Sequence, residues 1–309
     1  MGDILTEKPG LMKWRFASIV CICCACIFAF HAPGASAQHD PESRSWNQPF
    51  PPFRIIGNIY YVGANEITSF LITTPKGHIL LDGGFAETAP QIEANIRKLG
   101  FKLEDVKVLL NTHAHIDHAG GLAELKRATK AIVMASAADA PMLAAGGHGD
   151  FFFGDRLAFP PVVVDGIVRD GGVVSLGGMN LTAHVTPGHT RGCTTWTMNV
   201  QDADKLYSVV FICSVTVLLG SHLVNNAAYP QIAEDFARTF HTLTSLPCDV
   251  FLGSHGSFFD LEEKRKAQRL GAETNPFIDP GGYREAVKRW QERFETELAR
   301  QLAQASPNQ

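Results

Sequence analysis

The stretch Asn111-Thr112-His113-Ala114-His115-Ile116-Asp117-His118-Ala119-Gly120-Gly121 constrains this chain more than any other. Three imidazoles and a carboxylate fall between positions 113 and 118. Ahead of them Val106-Lys107-Val108-Leu109-Leu110 is apolar and β-branched and reads as a buried strand. Behind them Leu122-Ala123-Glu124-Leu125-Lys126 reads as the first turns of a helix. A strand that feeds a loop and then a helix belongs to an α/β fold. The polar cluster then sits at the carboxyl end of a strand, where such folds place their ligands.

Neutral imidazole and carboxylate are ligands that zinc takes at about 2.0–2.2 Å. Residues two apart in extended chain point the same way, so His113 and His115 can converge on one ion. Asp117 and His118 lie where the chain turns into the helix and aim elsewhere, which favours a second ion beside the first. A catalytic zinc normally has three protein ligands and one open position, so each ion calls for another histidine. Two stand in the right setting. Thr186-Pro187-Gly188-His189-Thr190-Arg191-Gly192 places a histidine in a tight turn after the strand-like Leu181–Val185, and Phe251-Leu252-Gly253-Ser254-His255-Gly256 ends an apolar run on another.

With these three segments the chain resembles the metallo-β-lactamase superfamily and, more narrowly, the third subclass of class B β-lactamases. The resemblance runs over roughly the whole mature chain, from about Phe53 to Ala303. It implies an α/β fold of one domain, a four-layer αββα sandwich. It also implies two Zn2+ ions per chain, one on His113, His115 and His189 and the other on Asp117, His118 and His255. Asp82, in Leu81-Asp82-Gly83-Gly84, resembles the superfamily's early motif and is read as support behind the ligands. His78, His148, His184, His222 and His241 lack such company and read as core or surface residues.

Residues 1–37 read as a targeting segment. Lys8, Lys13 and Arg15 precede an apolar run, Phe16–Phe30, that is too short for a comfortable membrane span. Ala35-Ser36-Ala37 fits a cleavage site, so the expected mature protein starts at Gln38, lies in the periplasm and has no membrane attachment. Of the seven cysteines this leaves Cys193, Cys213 and Cys248, and no disulfide is assigned from sequence. Cys213 reads as a buried small residue. Some relatives pair a cysteine at the place of Cys248 with a later one, and Pro276-Phe277-Ile278-Asp279-Pro280 offers no such partner. The formal charge of −4 supplies no basic footprint for nucleic acid. The expected partner is a small molecule, and the chain is read as a monomer.

Strands are expected at Phe53–Ile56, Ile59–Val62, Ser69–Thr73, His78–Leu81, Ala131–Ala135, Val162–Val164, Val173–Leu176, Leu181–Val185, Thr194–Val200 and Leu206–Ile212. A helix begins at Thr88 as N-cap, shows Ile92, Ile96 and Leu99 on one face and stops at Gly100. Further helices are expected at Ala137–Ala145, Pro230–Ser245, Leu261–Leu270 and Tyr283–Ala303. Between Gly146 and Pro161 the chain is rich in Gly, Phe and Pro. Two readings stand: an irregular loop with its phenylalanines in the core, or an apolar lip over the site.

Fold alone does not select a chemistry. Glyoxalase-type thioesterases and acyl-homoserine lactonases share HxHxDH but usually add an aspartate bridging both metals on the strand after the PGH turn. Here that place reads Phe211-Ile212-Cys213-Ser214, without a carboxylate, and the third β-lactamase subclass has a serine there. The ligand cysteine of the other subclasses would fall one position after Cys213. The implied activity is hydrolysis of the β-lactam amide of penicillins, cephalosporins and carbapenems by a metal-bound hydroxide, conferring antibiotic resistance. Asp117 would serve as ligand and orienter of the nucleophile, and Ser214 and Thr216 resemble the hydroxyl donors that hold the substrate carboxylate. The alternative is another exported hydrolase of this fold, such as an acyl-homoserine lactonase. A non-catalytic binding protein would be expected to lack a ligand, and none is lost.

Overall fold

Alternation along the strands decides which residues fill the middle of the molecule. In the strands Phe70–Thr74 (β3), Gly77–Leu81 (β4) and Val106–Leu110 (β5), the residues Phe70, Ile72, Ile79, Leu81, Val108 and Leu110 belong to one buried cluster. Their neighbours Leu71, Leu80 and Leu109 belong to another. Successive side chains on a strand point to opposite faces, so this sheet is buried on both sides. The computed structural model describes residues 45–305, and the targeting segment expected at 1–37 lies outside them.

The first sheet carries seven strands in sequence order. Phe53–Ile56 (β1), Ile59–Tyr61 (β2) and β3 lie antiparallel up to β4, and β4, β5, Ile132–Ser136 (β6) and Gly166–Val168 (β7) run parallel. The second has the order β12-β11-β10-β9-β8, from Val173–Leu176 (β8), Met179–Val185 (β9), Thr194–Asp202 (β10), Lys205–Ile212 (β11) and Val250–Gly253 (β12). Phe70 of the first sheet meets Phe211 of the second edge-on at 5.1 Å. Outside the first sheet lie Ala89–Lys98 (α1), the single turn Ile116–Ala119 (α2) and Leu122–Thr129 (α3), with Ile92, Ile96, Leu122 and Leu125 in its outer cluster. The short Ala140–Ala144 (α4) follows β6. Ile232–Ser245 (α5), Leu261–Arg269 (α6) and Pro280–Ala305 (α7) follow, and Phe236, Phe240, Tyr283, Trp290 and Phe294 cover the second sheet. The order is helix, sheet, sheet, helix: the expected αββα sandwich. Among the described residues no helix is long and apolar enough to cross a membrane.

Two local expectations are corrected. Val162–Val164 forms no strand; the first sheet takes Gly166–Val168 instead. Pro160 and Pro161 remove backbone donors just ahead of that run, and Val163 is 68% exposed. Thr88 does not cap α1 through its side chain, because its hydroxyl is turned to Asn47 and its backbone is already helical.

Strand direction gathers the polar loops at one edge. β4 and β5 are parallel, with Leu81 beside Leu110, so Asp82 leaves the sheet next to Asn111 and Thr112. β11 and β12 are parallel, with Ile212 beside Gly253, so Ser214 and His255 emerge together. β9 is antiparallel to β10 and β10 to β11, so β9 delivers His189 to that same edge.

Candidate metal centre

His113, His115 and His189 bring one ring nitrogen each within 4.8 Å of the others. Their ring centroids lie 4.7–4.9 Å apart. His113 and His115 come from the extended chain after β5, and α2 begins at once, turning Asp117 and His118 to a second position. There Asp117 Oδ2 lies 3.2 Å from His118 Nε2 and 3.6 Å from His255 Nε2, and the two imidazole nitrogens are 3.3 Å apart. Four ligands about a zinc at about 2.05 Å would stand about 3.3 Å from one another in a tetrahedron. This donor set therefore fits a zinc-sized cation. The rings of His113 and His118 lie 4.3 Å apart, which makes the two trios neighbours.

The other ring nitrogen of each histidine faces an oxygen, a hydrogen-bond partner for His113 and His189 and a carboxylate just beyond hydrogen bonding for His115, His118 and His255, in the arrangement that orients metal-binding imidazoles. His189 Nδ1–H donates to the Thr216 carbonyl at 2.8 Å, leaving Nε2 for the centre. His113 Nδ1 faces Thr112 Oγ1 at 3.2 Å, and His118 Nδ1 faces Asp82 at 3.4 Å. His255 Nδ1 is 3.5 Å from Glu66, and His115 Nε2 is 3.6 Å from Asp150. Asp82 also accepts from Thr112 N–H and Oγ1–H, both at 2.7 Å, so it supports the loop rather than joining the trios. Glycine is required where the loops close. A Cβ on Gly188 would lie 2.7 Å from the ring of Phe236, and one on Gly120 would lie 2.8 Å from Ala86 N.

Sequence reading missed Glu66, Asp139 and Asp150. Asp139 is buried and accepts from Ala114 N (2.9 Å), Gly192 N (2.9 Å) and Thr190 Oγ1 (3.1 Å), so one carboxylate ties the histidine loop to the PGH turn. Its only sequence signal is position, an acidic residue shortly after the end of a strand. It also missed a disulfide. Cys193 and Cys213 are bonded, and Cys213 Sγ lies 3.6 Å from His113 Nδ1, so the pair floors the first trio. Cys248 has no disulfide partner among the described residues.

Ser214 and Thr216 stand at the rim. Their hydroxyls are 3.2 Å apart, Thr216 Oγ1 is 3.3 Å from His189 Nδ1, and Ser214 is the more deeply buried. The loop Gly146–Pro161 combines both readings of it: Phe159 is buried in the core, while the Phe153 ring stands edge-on to His115 at 5.3 Å. The five other histidines among the described residues lie elsewhere. His78 packs on Phe101, His184 bonds Thr197, His148 pairs with Asp155 at the surface, and His222 and His241 are exposed.

Electrostatics follow burial. Burial, aided by the neighbouring imidazoles, pushes His189 down to about 3 and His113 well below its ordinary value, which keeps both neutral as ligands must be. Burial also opposes charge on Asp117 and His118, but their mutual attraction outweighs it. Asp117 is held far below the usual carboxylate range and His118 is raised to about 10, Asp82 assisting. A cation binding there displaces that proton. Burial raises Asp139 to about 6 against the hydrogen bonds it accepts.

Residues 62–202 match the model of the metallo-beta-lactamase superfamily. The FEZ-1 metallo-β-lactamase from Legionella gormanii is 46% identical and superposes with a TM-score of 0.81, over 82% of this chain and 98% of that one. The chain belongs to the metallo-β-lactamase superfamily. Within the superfamily, BJP-1, a subclass B3 metallo-β-lactamase of Bradyrhizobium japonicum, is 42% identical with a TM-score of 0.79, over 84% of this chain and 98% of that one. The hydroxyacylglutathione hydrolase of Rhodopseudomonas palustris (strain BisB18) is 34% identical over 166 residues, 54% of this chain and 52% of the other. The chain thus spans about half the length of that curated relative.

Proposed function

We propose that this chain is a periplasmic, monomeric β-lactamase that opens the amide of penicillins, cephalosporins and carbapenems and so confers antibiotic resistance. Its centre would hold two zinc ions, one on His113, His115 and His189 and one on Asp117, His118 and His255. The observation that carries the reading is the residue at the end of β11. Ser214 occupies the position where thioesterases and lactonases of this superfamily usually carry a bridging aspartate, and its hydroxyl meets Thr216 beside His189. The overlap with solved metallo-β-lactamases, one of them of subclass B3, over nearly their whole length supports it.

Bound zinc would supply Lewis acidity and lower the pKa of water to about 7. The chain's own residues do the rest. Asp117 is 16% exposed at the side chain, more open than His118 at 0%. It is placed to orient the attacking water and to pass a proton to the departing nitrogen. Thr216 is half-buried at the rim and can donate to the substrate carboxylate, with Ser214 behind it acting through Thr216 or a water. Phe153 offers an apolar edge over His115 and limits water there.

The test sets a chromogenic cephalosporin beside a hydroxyacylglutathione thioester and an acyl-homoserine lactone. The expected result is rapid opening of the cephalosporin, abolished by chelator, unaffected by clavulanate and lost in His189→Ala. Turnover of the thioester or lactone without any of the cephalosporin would transfer the assignment to those hydrolases.

A further inference from the structure

One carboxylate joins the aromatic loop to the centre. Asp150 Oδ1 accepts the backbone N–H groups of Phe152 at 2.8 Å and Phe153 at 2.7 Å, closing the turn that carries the phenylalanines. Its Oδ2 faces His115 Nε2 at 3.6 Å, with the two side chains only 8% and 7% exposed. That ring nitrogen is buried and has no hydrogen-bond partner among the described residues. The turn sets Phe153 against His115 and sends Phe151 onto Tyr229 at 5.0 Å, and the Arg191 guanidinium, from the PGH turn, lies 4.6 Å over the Tyr229 ring.

Asp150 is not one of the trio whose ligand atoms cluster within 4.8 Å, so its place is behind His115. An imidazole nitrogen that faces a carboxylate carries the proton, and a sub-ångström movement brings the pair to hydrogen-bond length. The lone pair is then on Nδ1. His113 and His189 are the reverse, with Nδ1 engaged by Thr112 and Thr216 and Nε2 left for the centre. We propose that Asp150 is a positioning residue that holds His115 in the tautomer offering Nδ1 to the metal, while the same carboxylate folds the aromatic lip. Metal affinity and the placement of Phe153 then depend on one side chain. This rests on the reading of His115 as a metal ligand.

Asparagine keeps an acceptor for the turn but replaces the carboxylate that faces His115, so Asp150→Asn separates the two roles. Mature wild-type protein, Asp150→Asn, Asp150→Ala and His115→Ala would be stripped of metal and titrated with zinc against a chromophoric chelator. For Asp150→Asn the expectation is a wild-type melting temperature with affinity at one site lower by about 10–100-fold. Asp150→Ala is expected to show the same loss and, in addition, a raised KM for a cephalosporin. A long-range 1H–15N spectrum of the zinc-loaded wild type is expected to show His115 protonated at Nε2 and bound through Nδ1. Zinc bound by His115 through Nε2 overturns the inference. So does unchanged affinity in Asp150→Asn beside a weakened His115→Ala, which leaves the ligand assignment standing. Wild-type protein that takes up no zinc overturns the ligand assignment and this inference together.

Discussion

Removing the Asp82 carboxylate should weaken both the fold and the centre, by amounts the structure sets. Asp82 is 1% exposed and follows β4 in a left-handed conformation, φ 62°. It accepts from Thr112 N–H and Thr112 Oγ1–H at 2.7 Å each and from Asn111 Nδ2–H at 3.3 Å, and it faces His118 Nδ1 at 3.4 Å. Hydrogen bonds to a charged group contribute about 1.5–3 kcal/mol each, and donors left buried without an acceptor cost their desolvation. Counting only the short pair, Asp82→Ala should lose about 3–6 kcal/mol. Asp82→Asn keeps the shape, and neutral bonds are roughly half as strong, so its loss should be about 2 kcal/mol. Because His118 loses its carboxylate partner, zinc affinity in Asp82→Asn should also fall by about 10–100-fold. Urea unfolding of the metal-free proteins reads the first quantity and chelator competition the second. A wild-type unfolding midpoint for Asp82→Ala would refute the structural argument. Wild-type zinc affinity for Asp82→Asn would refute the support of His118.

The metal-free protein should lose stability in mild acid. His113 and His189 are buried with folded values below 6.5, so unfolding takes up protons there and stability falls as pH drops below 6.5, by up to about 1.4 kcal/mol per pH unit for each. The raised Asp139 and His118 return part of this on acidification but less than the two imidazoles lose, and the lowered Asp117 carboxyl gives its full benefit above about 4. A lower urea midpoint at pH 5 than at pH 7 is expected, and equal midpoints would contradict it. Replacing Cys193 and Cys213 by serine opens a cross-link of sequence separation 20, for a loss of about 3 kcal/mol. Reductant should lower the unfolding midpoint of wild type comparably, and no change with either would place the two thiols unbonded.

The gathering of the six candidate ligands was legible because metal chemistry restricts both residue type and address. His113, His115, Asp117 and His118 follow one apolar strand, and His189 and His255 end two others. Their partners were not. Glu66, Asp139 and Asp150 reach the site from separate loops, and a lone acidic residue carries no local sign of what it faces. The disulfide was hidden for a related reason. The β10–β11 hairpin pairs Trp196 with Phe211, a register that continued past the ladder would set Cys193 opposite Ser214, so the bond to Cys213 forms only beyond the strand ends, where no pairing pattern reveals it from sequence. Val162–Val164 failed the other way, since a β-branched run is no strand without a neighbouring strand, and its Val162 N–H goes to the Leu143 carbonyl and its Val163 carbonyl to Lys126.

Anomalous diffraction at the zinc edge, on crystals of the mature protein grown with zinc, tests the central claim most directly. Two peaks are predicted, one among His113, His115 and His189 and the other among Asp117, His118 and His255. A single peak, or zinc bound away from these side chains, would contradict the account.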